Sequence, residues 1–226
     1  MLYVIPTPIG NIEDITIRAK RLLGEAAIIL SEDARVTSKL LTLLDISNKP
    51  QYVGLVSHHD INTAGIEKAL AQATDKVVCL VTDAGTPGIS DPGREVITRA
   101  NELGIAYTVL PGATSIIPAV AAAGFVKKEF TFLGFLPLKK GRQKAWKILA
   151  TSPYPVCVLE SVHRMEKWIE EAKLYLQPTQ KLCICREISK MHEWICVTTV
   201  GEINKDSITM KGEFVIVVDT FDEKSL

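Results

Sequence analysis

The sequence predicts an α/β protein of two α/β lobes, the N-terminal one built on a mostly parallel sheet and the C-terminal one on a mixed sheet. Three observations carry this expectation. In the first half, short β-branched runs alternate with amphipathic helical patterns. In the second half, late strands follow one another with few helices between them. Between the halves, Pro111-Gly112 and an alanine-rich stretch over 116–123 interrupt the pattern. The expected domains are 1–112 and 113–226, and a cleft between two lobes is the default place for a ligand.

Residues 2–5 read as the first strand, and Asp14 as the cap of a helix carrying Ala19, Leu22, Leu23 and Ala26 on one face. Further buried strands are expected over 28–30, 52–56, 77–81 and 107–110, with helices over 36–44, 62–73 and 95–103. Apolar strands alternating with helices require a sheet covered on both faces. In the second half, 130–135, 156–159, 182–185, 195–199 and 214–218 read as strands, and 143–149 and 164–176 as helices. Strands that succeed one another without a helix imply hairpins and antiparallel pairs.

Composition narrows the function classes. The chain has 226 residues, 47% hydrophobic and 23% charged, which is a globular balance. No apolar run approaches the roughly 18 residues that span a bilayer. The start, MLYVIPTPIGN, has neither a basic region nor a long apolar core, so no secretory signal is expected and the location is read as cytoplasmic. Five cysteines (Cys79, Cys157, Cys183, Cys185, Cys196) form no CxxC pair and read as buried thiols in a reducing compartment, with no metal expected. Lys+Arg and Asp+Glu both number 26, so any contact with nucleic acid would have to come from local patches.

The most informative stretch is 82–93, Thr-Asp-Ala-Gly-Thr-Pro-Gly-Ile-Ser-Asp-Pro-Gly, with three glycines and two prolines directly after a strand. Such a loop lets backbone groups approach a ligand at the carboxyl end of a sheet. It lacks the Lys-Ser/Thr ending of a phosphate loop and the GxGxxG spacing of a dinucleotide site. From composition alone, a ligand loop and a plain tight connection stay equally open. Polar clusters follow other strands: Glu32, Asp33 and Arg35; Glu160, His163 and Arg164; Arg186, Glu187 and Lys190; and His58-His59-Asp60, which lacks metal-ligand spacing. Taken singly, each reads more readily as a surface ion pair or helix cap. The run 139–147 holds Lys139, Lys140, Arg142, Lys144, Lys147 and Trp146. It reads either as a phosphate-binding patch with a stacking ring or as a solvated helix start with Trp146 in the core.

The string DAGTPGISDPG resembles the S-adenosylmethionine-contacting loop of the tetrapyrrole-methylase-like superfamily. In its wording the chain resembles the ribosomal RNA small subunit methyltransferase I family, through LYVIPTPIGN, SEDAR (31–35), FLGFLP (132–137), ESVHR (160–164), CREISKMHE (185–193) and GEFVIVV (212–218). It departs from the family at Ala34 (EDTR), at Ala113-Thr114-Ser115 (PGPSA) and at Val162 (ESPHR). Many relatives carry a further small helical domain after GEFVIVV, where this sequence ends at Leu226.

The resemblance implies S-adenosylmethionine as cofactor, held in the interlobe cleft. Pro8 and Ile9 would line it from the first loop, with Asp83, Gly85, Thr86 and Pro87 from the glycine loop and Thr114 and Ser115 from the next turn. Leu159, Cys185, Gly212, Glu213 and Phe214 would enclose the adenine. It implies methylation of the 2′-oxygen of a cytidine in the decoding centre of 16S, small-subunit, ribosomal RNA, by a homodimer acting on RNA or the 30S subunit. On the acceptor side stand Glu32, Arg35, Glu160 and Arg164, with Glu32, Asp33 or Glu160 as proton acceptor. RNA contacts would come from Lys139, Lys140, Arg142 and Lys190. Two rivals are a tetrapyrrole or other small-molecule methyltransferase of the same superfamily, and a non-catalytic, cofactor-binding, ribosome-associated module.

Overall fold

Strands that carry apolar side chains on both faces need cover on both, and the first of two units is organised by that need. The computed structural model describes residues 1–57 and 60–220. The chain divides into Met1–Thr114 and Ser115–Leu226. The sequence reading placed the division after Gly112. Ala113 stays with the first unit, where its carbonyl accepts the Thr86 hydroxyl at 3.0 Å.

In the first unit the order is β1 (Leu2–Val4), α1 (Ile17–Glu25), β2 (Ile28–Ser31), α2 (Ala34–Leu43), β3 (Gln51–Gly54), β4 (Val56–Ser57), β5 (Asp60–Ile61), α3 (Thr63–Ala71), β6 (Val78–Val81), α4 (Gly93–Glu102) and β7 (Tyr107–Val109). The main sheet runs β3-β2-β6-β1-β7, with every pair parallel. Alternate residues serve opposite faces. Leu2, Val4, Ile28, Leu30, Val78 and Leu80 pack under Ile66 and Leu70 of α3 and Val96 of α4. Ile5, Ile29, Cys79 and Val81 pack under Leu22 and Leu23 of α1 and Leu41 of α2. The chain therefore leaves neighbouring strands β1 and β6 toward opposite faces. That divergence marks the carboxyl ends of these two strands as the place where an open α/β sheet receives a ligand.

Two local readings are corrected. Thr16, not Asp14, caps α1, its hydroxyl accepting from the Ala19 N–H at 3.1 Å. Asp14 instead ends a one-turn 3-10 helix, Ile12–Asp14, capped by Asn11. The strand expected over 52–56 stops at Gly54, and Val56–Ser57 turns into a hairpin with Asp60–Ile61. His58 and His59 lie outside the described residues.

In the second unit follow α5 (Ile116–Ala123), β8 (Thr131–Phe135), α6 (Arg142–Thr151), β9 (Val156–Ser161), α7 (Val162–Tyr175), β10 (Lys181–Arg186), β11 (Trp194–Thr199) and β12 (Glu213–Val218). The sheet order is β11-β10-β12-β9-β8; β8 and β9 are parallel and the other pairs antiparallel, so the sheet is mixed. One face packs against Trp146 and Leu149 of α6 and Met165, Trp168 and Ile169 of α7. The other carries Cys157, Cys183 and Cys185 beneath Ala119 and Ala123 of α5. These thiols, like Cys79, are buried and free, and burial pushes Cys157 up to about 12, which makes it chemically quiet.

Candidate functional site

The glycine loop after β6 is bolted to the loop after β1. Thr7 and Gly85 exchange both backbone hydrogen bonds, at 3.0 and 2.9 Å, as a single antiparallel bridge. The buried Thr7 hydroxyl donates to the Thr82 carbonyl at 3.0 Å. Further along, the Asp91 carboxylate accepts from the N–H groups of Gly88 and Gly93 at 2.8 to 3.0 Å. Gly112 completes the corner, because a Cβ there would lie 2.7 Å from Pro6 Cβ. Sequence reasoning missed Thr7, Thr82 and Asp91 as the ties of this corner.

Gly85 sits at φ +85, in the region that favours glycine. Its N–H is spent on Thr7, and its carbonyl already accepts one bond from Thr7, so only that oxygen's second lone pair is left to meet a ligand. The nearest atom to a Cβ there is Ile9 Cγ2 at 3.6 Å, so the constraint is conformational rather than steric. Gly85→Val is expected to lower stability by about 1–3 kcal/mol, and to loosen the loop for any ligand. Thermal unfolding with calorimetric titration of S-adenosylmethionine checks this; an unchanged midpoint and affinity would contradict it. Pro87 is buried, Pro8, Ile9 and Thr86 are half-buried, and Asp83 is exposed.

Beside the loop stands an acidic corner. Glu32 Oε2 accepts from the Thr82 hydroxyl at 2.7 Å and from the Asp83 N–H at 3.4 Å. Asp83 in turn accepts from the Asp33 N–H at 3.2 Å. Partial burial and the Glu32 charge push the Asp83 carboxyl above its ordinary value. Asp33 behaves differently: it caps α2 through the Arg35 N–H, and its carboxylate takes the Arg35 guanidinium at 2.6 Å. Those bonds hold Asp33 down at about 2, so its stabilising contribution is present above the ordinary carboxylate range and lost only as pH falls toward that value. The Arg35 side chain remains 91% exposed. Glu32 is exposed, and among the described residues its Oε1 has no hydrogen-bond partner.

The second unit separates residues that the sequence grouped together. Glu160 ends β9 with its side chain fully buried. Oε1 takes the Arg164 Nε at 2.7 Å and the Ser161 N–H at 2.7 Å, while Oε2 has no partner among the described residues. Burial pushes its carboxyl up, against the pull of Ser161 and Arg164. Glu160 is corrected from proton acceptor to the anchor of Arg164, which also bonds Ser161 Oγ at 3.2 Å and the Leu136 carbonyl at 3.1 Å.

Cys185 and Phe214 were expected to enclose adenine, but both side chains lie in the core, on opposite faces of the sheet. They can offer only main-chain atoms. Leu159 is half-buried in the same register row as Cys185. Gly212 sits at φ +82 against the Glu187 carboxylate, which takes the Glu213 N–H at 2.9 Å. Lys190 is not poised for a phosphate, because Glu187 and Glu213 share its ammonium at 2.9 Å each. Ser115 occupies the N-cap of α5 without a side-chain capping bond, directly after Thr114.

Of the basic run, Lys139 and Lys140 are exposed, but Arg142 is corrected. It is 6% exposed, paired in two places with Glu171, and bonded to the Pro137 carbonyl at 3.0 Å. Trp146 is fully buried, stacked on Tyr175 and donating to Glu171 at 3.1 Å, so it offers no stacking face. A cavity of about 740 Å³ among Lys127, Lys128, Tyr154 and Lys181 lies at the end of this sheet where β9 and β10 begin, and holds none of the expected site residues.

A family model, that of the tetrapyrrole (corrin/porphyrin) methylases, matches residues 1–204. The chain is 38% identical over 229 residues to the ribosomal RNA small subunit methyltransferase I of Halalkalibacterium halodurans, covering 99% of this chain and 77% of that one. It is 38% identical over 222 residues to the protein of the same name from Coprothermobacter proteolyticus, covering 96% and 97%. Its fold is similar to that of a uroporphyrin-III C-methyltransferase from Thermus thermophilus solved with S-adenosyl homocysteine, with a TM-score of 0.63 at 20% identity, covering 96% of each chain.

Proposed function

Because the chain belongs to the tetrapyrrole methylase family and to its ribosomal RNA small subunit methyltransferase I members, we propose that it methylates small-subunit ribosomal RNA at the 2′-oxygen of a cytidine, with S-adenosylmethionine as donor. The single observation that carries the cofactor reading is the acidic corner at the carboxyl ends of β2 and β6. Glu32 and Asp83 face each other there, and the nearby cation Arg35 is occupied by Asp33. Such a corner disfavours a phosphate ligand and suits one with positive charge. S-adenosylmethionine fits, since it carries an ammonium and a sulfonium and, when bound, supplies a methyl group on a sulfur that leaves as a neutral thioether.

The residues divide the remaining work. Asp83 would hold the ammonium, and Pro8, Ile9 and Thr86 would line the loops beside it. Glu32 is the accessible carboxylate with one oxygen fixed by Thr82 and the other open. A ribose hydroxyl is a poor acid, so an oriented acceptor within roughly 2.6–3.2 Å of it lowers the barrier. We assign that role to Glu32, because the Asp33 carboxylate is committed to Arg35 and Glu160 is sealed. Arg35 is committed to Asp33, so its role beside Glu32 is to hold the start of α2 in place.

Lys139 and Lys140 supply unpaired positive charge among the described residues of the second unit. Changing both to Gln is expected to reduce the log–log salt slope of RNA binding by about 1.4–1.8, at roughly 0.7–0.9 per lost phosphate contact, with cofactor affinity unchanged. An unaltered slope would place the RNA surface elsewhere. The family resemblance supports a homodimer acting in the cytoplasm; sedimentation of the purified protein separates one chain from two. The whole reading is tested by mapping methylation of small-subunit RNA from cells with and without this gene. The loss of one cytidine 2′-O-methyl group is the expected result, and an unchanged map overturns it.

A further inference from the structure

The acceptor side of the proposed reaction needs something to hold a base, and the basic run that promised a stacking ring does not supply one, because Trp146 is in the core. Phe135 does present an aromatic face that a nucleobase could reach. It ends β8 with 51% of its surface exposed. Single exposed apolar residues are common and by themselves say nothing. Phe135 differs in what lies against it. The Arg164 guanidinium carbon stands 5.5 Å from its ring centroid, and that guanidinium is fixed by Glu160, Ser161 and the Leu136 carbonyl.

One side of the ring is thus backed by a cation that cannot swing away, and the rest meets solvent. The chain then runs on through the exposed Leu138 to Lys139 and Lys140, whose ammonium groups have no ion pair among the described residues. An exposed aromatic ring with unpaired cations a few residues along the same strand exit matches an unstacked nucleotide, base on the ring and phosphates on the lysines.

On the reading proposed above, we infer that Phe135 is the platform on which an unpaired base of the RNA substrate stacks, with Arg164 as the positioning residue that holds the ring. The Glu160–Arg164 pair thereby gains a role: it is the mount of the platform. The arrangement binds the base in the ground state and the transition state alike, so it should govern affinity for RNA more than turnover.

The test compares Phe135→Leu and Phe135→Trp with the parent on small ribosomal subunits. Leu retains apolar cover but has no ring, so the KM for subunits is expected to rise roughly 5- to 150-fold with little change in kcat. Trp is expected to restore the parent value. A merely structural role would be met by Leu, so a Leu variant with parent KM overturns the inference.

In Phe135→Trp the new indole also reports directly. A short single-stranded oligoribonucleotide should alter its emission, and the same oligonucleotide with an abasic position should not. Equal responses overturn the platform. If the parent transfers no methyl group to subunits, the proposed function fails, while the fluorescence comparison still decides whether Phe135 stacks bases.

Discussion

Glu32→Gln is expected to lower single-turnover methylation of small ribosomal subunits by roughly 10²–10⁴-fold, the span of one positioned proton acceptor. Gln keeps the length of the side chain and an oxygen for the Thr82 hydroxyl and the Asp83 N–H, but it cannot take a proton. Glu32 is exposed, so stability should stay within about 0.5 kcal/mol of the parent. The substitution also removes a like charge beside Asp83, whose raised carboxyl should move back toward its ordinary value. Asp33→Asn is the control at the same strand end: its carboxylate is committed to Arg35, so chemistry should survive. If Glu32→Gln turns over at the parent rate with RNA saturating and the fold intact, Glu32 leaves the mechanism. The buried Glu160 does not inherit the role, because it cannot reach a substrate.

What the sequence made legible was what short-range periodicity encodes. The parallel and mixed sheets followed from runs such as Val78–Val81 and Glu213–Val218, whose alternating side chains fill both faces. Periodicity did not identify the cap of α1, since Asp14 and Thr16 are equally good capping types. Ile12 and Ile15 pack against the core and hold Asp14 in a separate turn. The glycine loop stood out by composition, but its partner Thr7 did not, because the Thr7–Gly85 bridge depends on β1 and β6 being neighbours across more than seventy residues. The misread side chains share one cause. Glu160, Cys185 and Phe214 sit where strand-end residues often meet a ligand, and whether such a residue faces the surface or the core is decided by what packs on it. Local strings carry no record of that.

Arg142→Gln is expected to destabilise the second unit by about 3–5 kcal/mol, the cost of leaving one member of a buried ion pair without its partner. In a chain of this length that is a fall of about 6–20 °C in the midpoint of that unit's unfolding. The run of cations around Arg142 reads as one solvated patch, yet its guanidinium is shut in by Glu171 of the neighbouring α7 and by the Pro137 carbonyl. The same carboxylate receives the Trp146 N–H, so losing Arg142 strands a charge beside the ring cluster of Trp146, Trp168 and Tyr175. Replacing both members, Arg142→Met with Glu171→Leu, should recover much of the loss, because an apolar pair of similar volume needs no desolvated charge. RNA binding separates this from a surface role. A core arginine leaves the salt slope where it was in whatever fraction remains folded, whereas a phosphate contact would lower the slope by about 0.7–0.9 at undiminished stability. The second outcome would return Arg142 to the RNA surface and leave Glu171 to Trp146 and Lys167.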